Sequence, residues 1–285
     1  GPAIYRGSLF PKSFYGDVFI CEPAGNLVKR LVIEERDGVP RVRNAYDQTE
    51  FLASTDERFR PVNLYNGPDG SLYVVDMYRG VIQHRIFLTT YLRNQIKERG
   101  LEAPLGMGRV YRVVPETVKR SSPPVLAKAK PSQLVEALKH EDAWVRETAQ
   151  RLLVERMDAS TAPALRRLAT TAPTAATRVH ALWTLDGINS LDWPTAAAAL
   201  RDAEPRVAAT GIRVSERFLG SHPERTVAAL MERVRWNELA VVRQVALSLG
   251  KAPTSHADAA LREITLRNGK EAYVADAIVS SVAGR

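Results

Sequence analysis

The chain has 285 residues, 45% hydrophobic and 25% charged, with a net charge of +8. That length suits two domains, and the composition is ordinary for a globular protein. No run of about 18 apolar residues occurs, which excludes a membrane-spanning helix. The single cysteine, Cys21, excludes an internal disulfide, a paired-cysteine zinc site and a CxxCH haem attachment. Cys21 itself reads as a small buried residue on a strand. Lys and Arg are spread along the chain beside Glu and Asp, so the charge reads as a solvated surface. A nucleic-acid binder would gather it on one face, and no nucleic-acid partner is expected. The opening residues Gly1-Pro2-Ala3-Ile4-Tyr5 carry neither a start methionine nor a signal pattern, which reads as a removed leader or a piece of a longer chain.

The first part is predicted to form strands. Val18–Cys21 is a short apolar run, Ala24-Gly25-Asn26 supplies a turn, and Leu27–Ile33 continues as a second strand. Glu34-Glu35-Arg36-Asp37-Gly38 is the next expected turn. Val62–Tyr65 and Leu72–Asp76 flank Gly67-Pro68-Asp69-Gly70, where Pro68 presets one dihedral, Gly70 permits positive φ and Asp69 can bond the following backbone. A helical insert is expected near residues 86–99, ended by Gly100, and Gly108–Val114 returns as a strand. Short strands with regular turns point to a sandwich, a barrel or a propeller blade.

These residues carry a resemblance. Gly1–Gly7, Phe10-Pro11, Gly16–Ile20 and Glu22–Val28 resemble a blade of the membrane-bound dehydrogenases of planctomycete and verrucomicrobial bacteria. Phe59–Asn63 with Gly67–Arg79 is the most specific match, and Tyr91–Ile96 and Gly108–Val113 also fit. That family is similar to the soluble glucose/sorbosone dehydrogenases, six-bladed propellers that use pyrroloquinoline quinone (PQQ) with calcium. The resemblance implies a β plus α chain of two domains. Residues 1–118 would be the last blades of a propeller, 119–131 a linker, and 132–285 an α-solenoid of HEAT-like repeats. It further implies an extracytoplasmic, periplasmic location and a parent that oxidises a sugar-like or polysaccharide substrate. The larger members continue into a cytochrome c domain; with no CxxCH here, the chain is expected to be an internal piece of such a protein, not active alone.

The sugar dehydrogenases bind the quinone through an Arg-x-Arg ahead of a comparable turn, which falls on Arg58 and Arg60. Residues two apart on a strand share a face, and paired guanidinium groups can grip carboxylates bidentately. The other reading of this pair is structural, bonding Asp56, Glu57 or loop carbonyls. Two departures stand against the family pattern. Pro61 replaces its acid, and the turn Glu22–Asn26 lacks its lysine, Lys29 lying on the strand beyond. The family's histidine base belongs to an earlier blade. Asp76, Tyr78, Arg79 and His84 form a polar group after a strand, where propeller loops converge on a channel mouth. The five histidines have no metal-ligand spacing, no metal site is expected, and no phosphate loop, Gly-x-Ser-x-Gly or His-Glu-x-x-His occurs.

Val118–Pro124 breaks the strand pattern and favours an extended linker. Ser132 is a plausible N-cap for the helix that follows. A helix pair then recurs, with a valine-like position at Val145, Thr177, Val207, Val242 and Val274, a step of about thirty to thirty-five residues. Pro194, Pro205 and Pro223 fit helix starts, and Ala149, Ala181, Gly211 and Ala246 are small where paired helices must approach. Such repeats offer a curved surface to a protein partner. The four tryptophans read as core packing, with contact hot spots second. The alternative to the dehydrogenase parent is a non-catalytic propeller and HEAT protein that binds carbohydrate or protein.

Overall fold

The computed structural model describes residues 1–36, 39–118, 122–236 and 238–283. The turn expected at Glu34–Gly38 is corrected in its first part, since one strand runs over Leu27–Arg36; Asp37-Gly38 and the centre of the linker, Lys119–Ser121, lie outside the described residues. The chain divides into two compact units, Gly1–Pro124 with Glu141–Trp144, and Val125–His140 with Val145–Arg285. The architecture is mixed β plus α, with antiparallel sheets followed by helices.

The first unit opens with β1 (Pro2–Ile4), β2 (Val18–Glu22), β3 (Leu27–Arg36), β4 (Val39–Asn44) and β5 (Leu52–Ala53). They form one antiparallel sheet in the order β1-β2-β3-β4, with β5 also pairing on β3. The β2–β3 hairpin closes in register Glu22↔Leu27, with Asn26 in the left-handed region at φ 56°. The second sheet is β6 (Pro61–Asn66), β7 (Leu72–Asp76) and β8 (Arg109–Val113), paired in that order. Its first turn uses Gly70 at φ 77°, and Asp69 Oδ1 accepts from the Ser71 N–H at 3.2 Å. Neither sheet closes on itself.

Strand alternation places Phe19, Cys21 and Val28 inside, with Leu64, Leu72 and Val74 from the second sheet in the same core. Tyr5 stacks on Phe10 at 4.5 Å, and Phe19 meets Phe51 edge-on at 4.8 Å. Burial pushes the Cys21 thiol pKa up, as befits a packing residue. The same alternation buries Arg30, two residues after Val28. Asp17 neutralises it at 2.6 Å, the Ser13 carbonyl accepts from Nη2 at 2.7 Å, and the guanidinium lies 3.6 Å from the Phe14 ring centre. A buried charge is tolerated only with such pairing.

Between β7 and β8 lies one helix, α1 (Thr90–Glu98), capped by the Thr89 side chain and preceded by a 3-10 turn at Arg85–Phe87. The second unit is helical. Its elements are α2 (Pro131–Ala137), α3 (Ala143–Arg156), α4 (Ala162–Thr171), α5 (Ala175–Gly187), α6 (Trp193–Leu200), α7 (Pro205–Ser215), α8 (Pro223–Val234), α9 (Leu239–Leu249), α10 (Thr254–Asn268) and α11 (Ala272–Val282). Prolines stand at the first turns of α2, α4, α6, α7 and α8, where the missing N–H leaves no bond unmade. Ser132 is not the cap of α2. Pro131 takes the first helical position, Lys130 becomes the N-cap, and its N–H donates to Gln133 Oε1 at 2.8 Å.

Within this unit α4 packs on α5, α6 on α7 and α8 on α9, while α5, α7, α9 and α11 follow one another as neighbours. The recurring position is buried at every occurrence, Val145, Thr177, Val207, Val242 and Val274 all being at most 2% exposed. Gly211 allows α7 to lie against α6, since a Cβ there would stand 2.8 Å from the Ala199 carbonyl carbon. Trp193 is half-buried, edge-on to Phe218 at 5.5 Å with Arg225 over its face at 4.3 Å, whereas Trp236 is exposed beneath Arg233. No helix among the described residues is long and apolar enough to cross a membrane.

Candidate functional site

Arg58, Arg60, Asp76 and Tyr78 meet at one end of the β6–β7 hairpin, where a register shift between Pro61 and Asn63 bends β6. Bulges of this kind re-aim side chains beside a sheet edge. Asp76 ends β7 facing inward and is 1% exposed. Its Oδ1 accepts from the Arg60 N–H at 2.7 Å and from the Tyr78 N–H at 2.8 Å, so one carboxylate oxygen fixes the main chain of both strands. Its Oδ2 has no hydrogen-bond partner among the described residues.

Tyr78 stands at φ 47°, a conformation that strains a residue with a Cβ. Three contacts hold it there: the N–H to Asp76, the hydroxyl donating to Asp56 Oδ2 at 2.9 Å, and the Arg109 guanidinium 3.6 Å from its ring centre. The Arg58 N–H, the Tyr78 hydroxyl and the Arg58 and Arg109 charges hold the Asp56 carboxyl below its ordinary pKa. The hydrogen bond to Asp56 pushes the Tyr78 hydroxyl up. These opposite shifts keep tyrosine protonated and aspartate ionised, the wrong direction for proton exchange between them near neutrality.

The arginine side chains run mainly to main-chain oxygens, with Arg58 Nη1 also 4.0 Å from Asp56 Oδ1. Arg58 donates Nε to the Ala103 carbonyl at 3.1 Å and Nη2 to the Gly100 carbonyl at 3.0 Å. Arg60 donates Nε to the Arg79 carbonyl at 3.0 Å, Nη1 to Pro23 at 2.7 Å and Nη2 to Gly80 at 2.9 Å. Arg60 thus ties the Glu22–Asn26 turn to the loop after β7. Gly80 is required in that loop because a Cβ there would fall 2.4 Å from the Leu101 carbonyl oxygen. Each fork points at carbonyls, and a quinone carboxylate would have to displace them to bind bidentately. As arranged, the pair does not fit that cofactor. Among the described residues no group of three His, Cys, Asp or Glu could hold a metal ion.

Arg79 and His84 stand apart from this cluster. The Arg79 side chain is exposed and lines a groove that adjoins the one beside Arg60. His84 is exposed, accepts from the Ile86 N–H through Nδ1 at 3.4 Å, and makes no contact with Asp76 or Tyr78 among the described residues.

Two cavities flank the loop and α1. One, about 390 Å³, is bordered by Asn26, Glu57, Arg60, Gln95 and Arg99, with Arg99 paired to Glu57. The other, about 460 Å³, is bordered by Arg79, Gln83, Arg85, Arg93, Lys97 and Glu102 over Val81, Leu88, Ile96 and Leu105. Sequence reading found the hairpin cluster and named Asp56 as a neighbour of the arginines, but not its bond to Tyr78, nor Arg109, which joins from β8. It also passed over the second cavity, although Arg93 and Lys97, four apart, share one face of α1.

A family model described as a domain of unknown function, DUF7133, matches residues 1–117. No curated protein matches the chain significantly.

Proposed function

We propose that the chain is the closing section of a β-propeller followed by HEAT-like helical pairs, and that its β unit is a ligand-binding wall with no catalytic centre of its own. The propeller reading is supported by short antiparallel sheets joined by tight turns. The HEAT reading is supported by the buried position that recurs in each helix pair and by the run of packed neighbours α5, α7, α9 and α11. The helical unit then serves as a scaffold offering a surface to a protein partner.

One observation carries the functional reading: the Arg58 and Arg60 guanidinium groups are engaged by loop carbonyls. They position the loops that border the two cavities, and the cavities do the binding. The sizes of these cavities are in the range that holds a small molecule. The ligand class follows from their mixed lining, polar groups over aliphatic ones, which suits a carbohydrate.

Calorimetric titration of the purified chain with mono- and disaccharides, alongside dye reduction in the presence of pyrroloquinoline quinone and calcium, tests the binding reading. Saturable saccharide binding without dye reduction is the expected result. Quinone-dependent dye reduction by the chain would replace this reading with the dehydrogenase.

A further inference from the structure

The two cavities beside α1 differ in how their charges are balanced. In the smaller one Arg99 is paired to Glu57 and Arg60 is engaged by carbonyls. The larger one brings together Arg79, Arg85, Arg93 and Lys97 against a single carboxylate, Glu102. None of these four cations has an acidic partner among the described residues; Arg93 only donates to the Arg85 carbonyl at 3.4 Å. Four cations around one concavity raise the local potential and draw anions to it.

The lining is not wholly ionic. Val81, Leu88, Ile96 and Leu105 supply aliphatic surface, and Gln83 and Glu102 supply donor and acceptor groups. Bare inorganic anions have no use for an aliphatic surface, and a purely apolar ligand has none for the cations. A sugar ring has both C–H faces and hydroxyls, and a carboxylate on it would meet a guanidinium fork bidentately. The volume of about 460 Å³ is in the range of small-molecule sites. We propose that this groove binds a carboxylated sugar of one or two rings, a uronate. The inference rests on the binding reading above and names its ligand class.

The test is calorimetric titration of the whole chain with galacturonate and digalacturonate, with galactose, sulfate, citrate, heparin and DNA as separate arms. Uronate should bind at least tenfold more tightly than galactose, and citrate and sulfate should compete weakly. The double variant Arg85→Gln/Lys97→Gln should lose at least tenfold in uronate affinity. Both side chains are exposed, so its thermal melt should match that of the parent, which separates lost binding from lost fold. Equal affinity for galactose and galacturonate would overturn the ligand class while leaving saccharide binding intact. Sulfate matching uronate would reduce the groove to a general anion site and overturn it as well. Binding only to an extended polyanion such as heparin or DNA, or no binding by any arm, would also overturn the proposal, the last taking the binding reading with it.

Discussion

Replacing Arg60 by alanine removes hydrogen bonds from three nitrogens of one guanidinium, to Arg79, Pro23 and Gly80. Hydrogen bonds to charged groups contribute about 1.5–3 kcal/mol each when fully buried. Arg60 is half-buried, so screening lowers that sum, and a loss of about 2–4 kcal/mol is expected for the variant. For a unit of this size that corresponds to a fall of roughly 10 °C in its melting midpoint. Arg60→Lys keeps the charge but has no planar fork. One ammonium cannot reach carbonyls set around a guanidinium plane, so lysine should recover only about a third of the loss. The assay is thermal and urea unfolding followed by circular dichroism, with amide exchange read at residues 22–26 and 79–81. Faster exchange in both segments together is expected, because one side chain joins them. A variant as stable as the parent, with unchanged exchange, would refute the fastening argument.

Other perturbations give equally definite expectations. Tyr5 is fully buried; its hydroxyl donates to the Gly70 carbonyl at 2.6 Å and accepts from the Phe10 N–H at 2.8 Å. Tyr5→Phe should therefore cost about 2–3 kcal/mol in unfolding free energy. Burial pushes the Tyr5 pKa up to about 12. The folded form holds that proton more tightly than the unfolded chain does, so the contribution is present below pH 10 and is lost as pH rises from about 10 to 12. A pH series of melts on parent and Tyr5→Phe should show the parent alone carrying this loss. Asp76→Asn keeps an acceptor for the Arg60 and Tyr78 N–H groups and should change stability by less than about 1 kcal/mol. Asp76→Ala, which leaves both donors without their partner, should cost about 2–3 kcal/mol, read by urea unfolding. Asp17→Ala strands the buried Arg30 guanidinium and should cost about 3–5 kcal/mol by the same measurement.

The helices were legible in the sequence because their signals are local. Proline marks helix starts, and the valine-like residue recurs at a step of about thirty to thirty-five residues, so every pair could be placed without knowing its neighbours. The longer strands were legible for the same reason, with apolar runs interrupted by glycine-bearing turns. Three strands escaped. β1 begins with a proline and has only three residues; β5 has two; β4, Val39-Pro40-Arg41-Val42-Arg43-Asn44, is almost wholly exposed and so shows no apolar run. Each forms because β2 or β3 offers free backbone groups, which is a tertiary cause. At the site, Arg58 and Arg60 stood out by their resemblance to a family's Arg-x-Arg, but a resemblance does not say what a guanidinium meets. Their partners at Pro23, Arg79, Gly80, Gly100 and Ala103 are main-chain oxygens, and any residue type presents one. Arg109, and the bond from Tyr78 to Asp56, were missed for a related reason. Tyr78 is held between a residue 22 positions before it and another on the next strand, and no local motif encodes that.

The most direct measurement of the central claim is a spectrophotometric titration of the chain with pyrroloquinoline quinone and calcium, run in parallel on Arg60→Lys. With both forks occupied by carbonyls, neither protein should take up the quinone stoichiometrically, and the two titrations should superimpose. Uptake of one quinone per chain by the parent, abolished in Arg60→Lys, would show that these arginines grip a cofactor and that their role as fasteners is wrong.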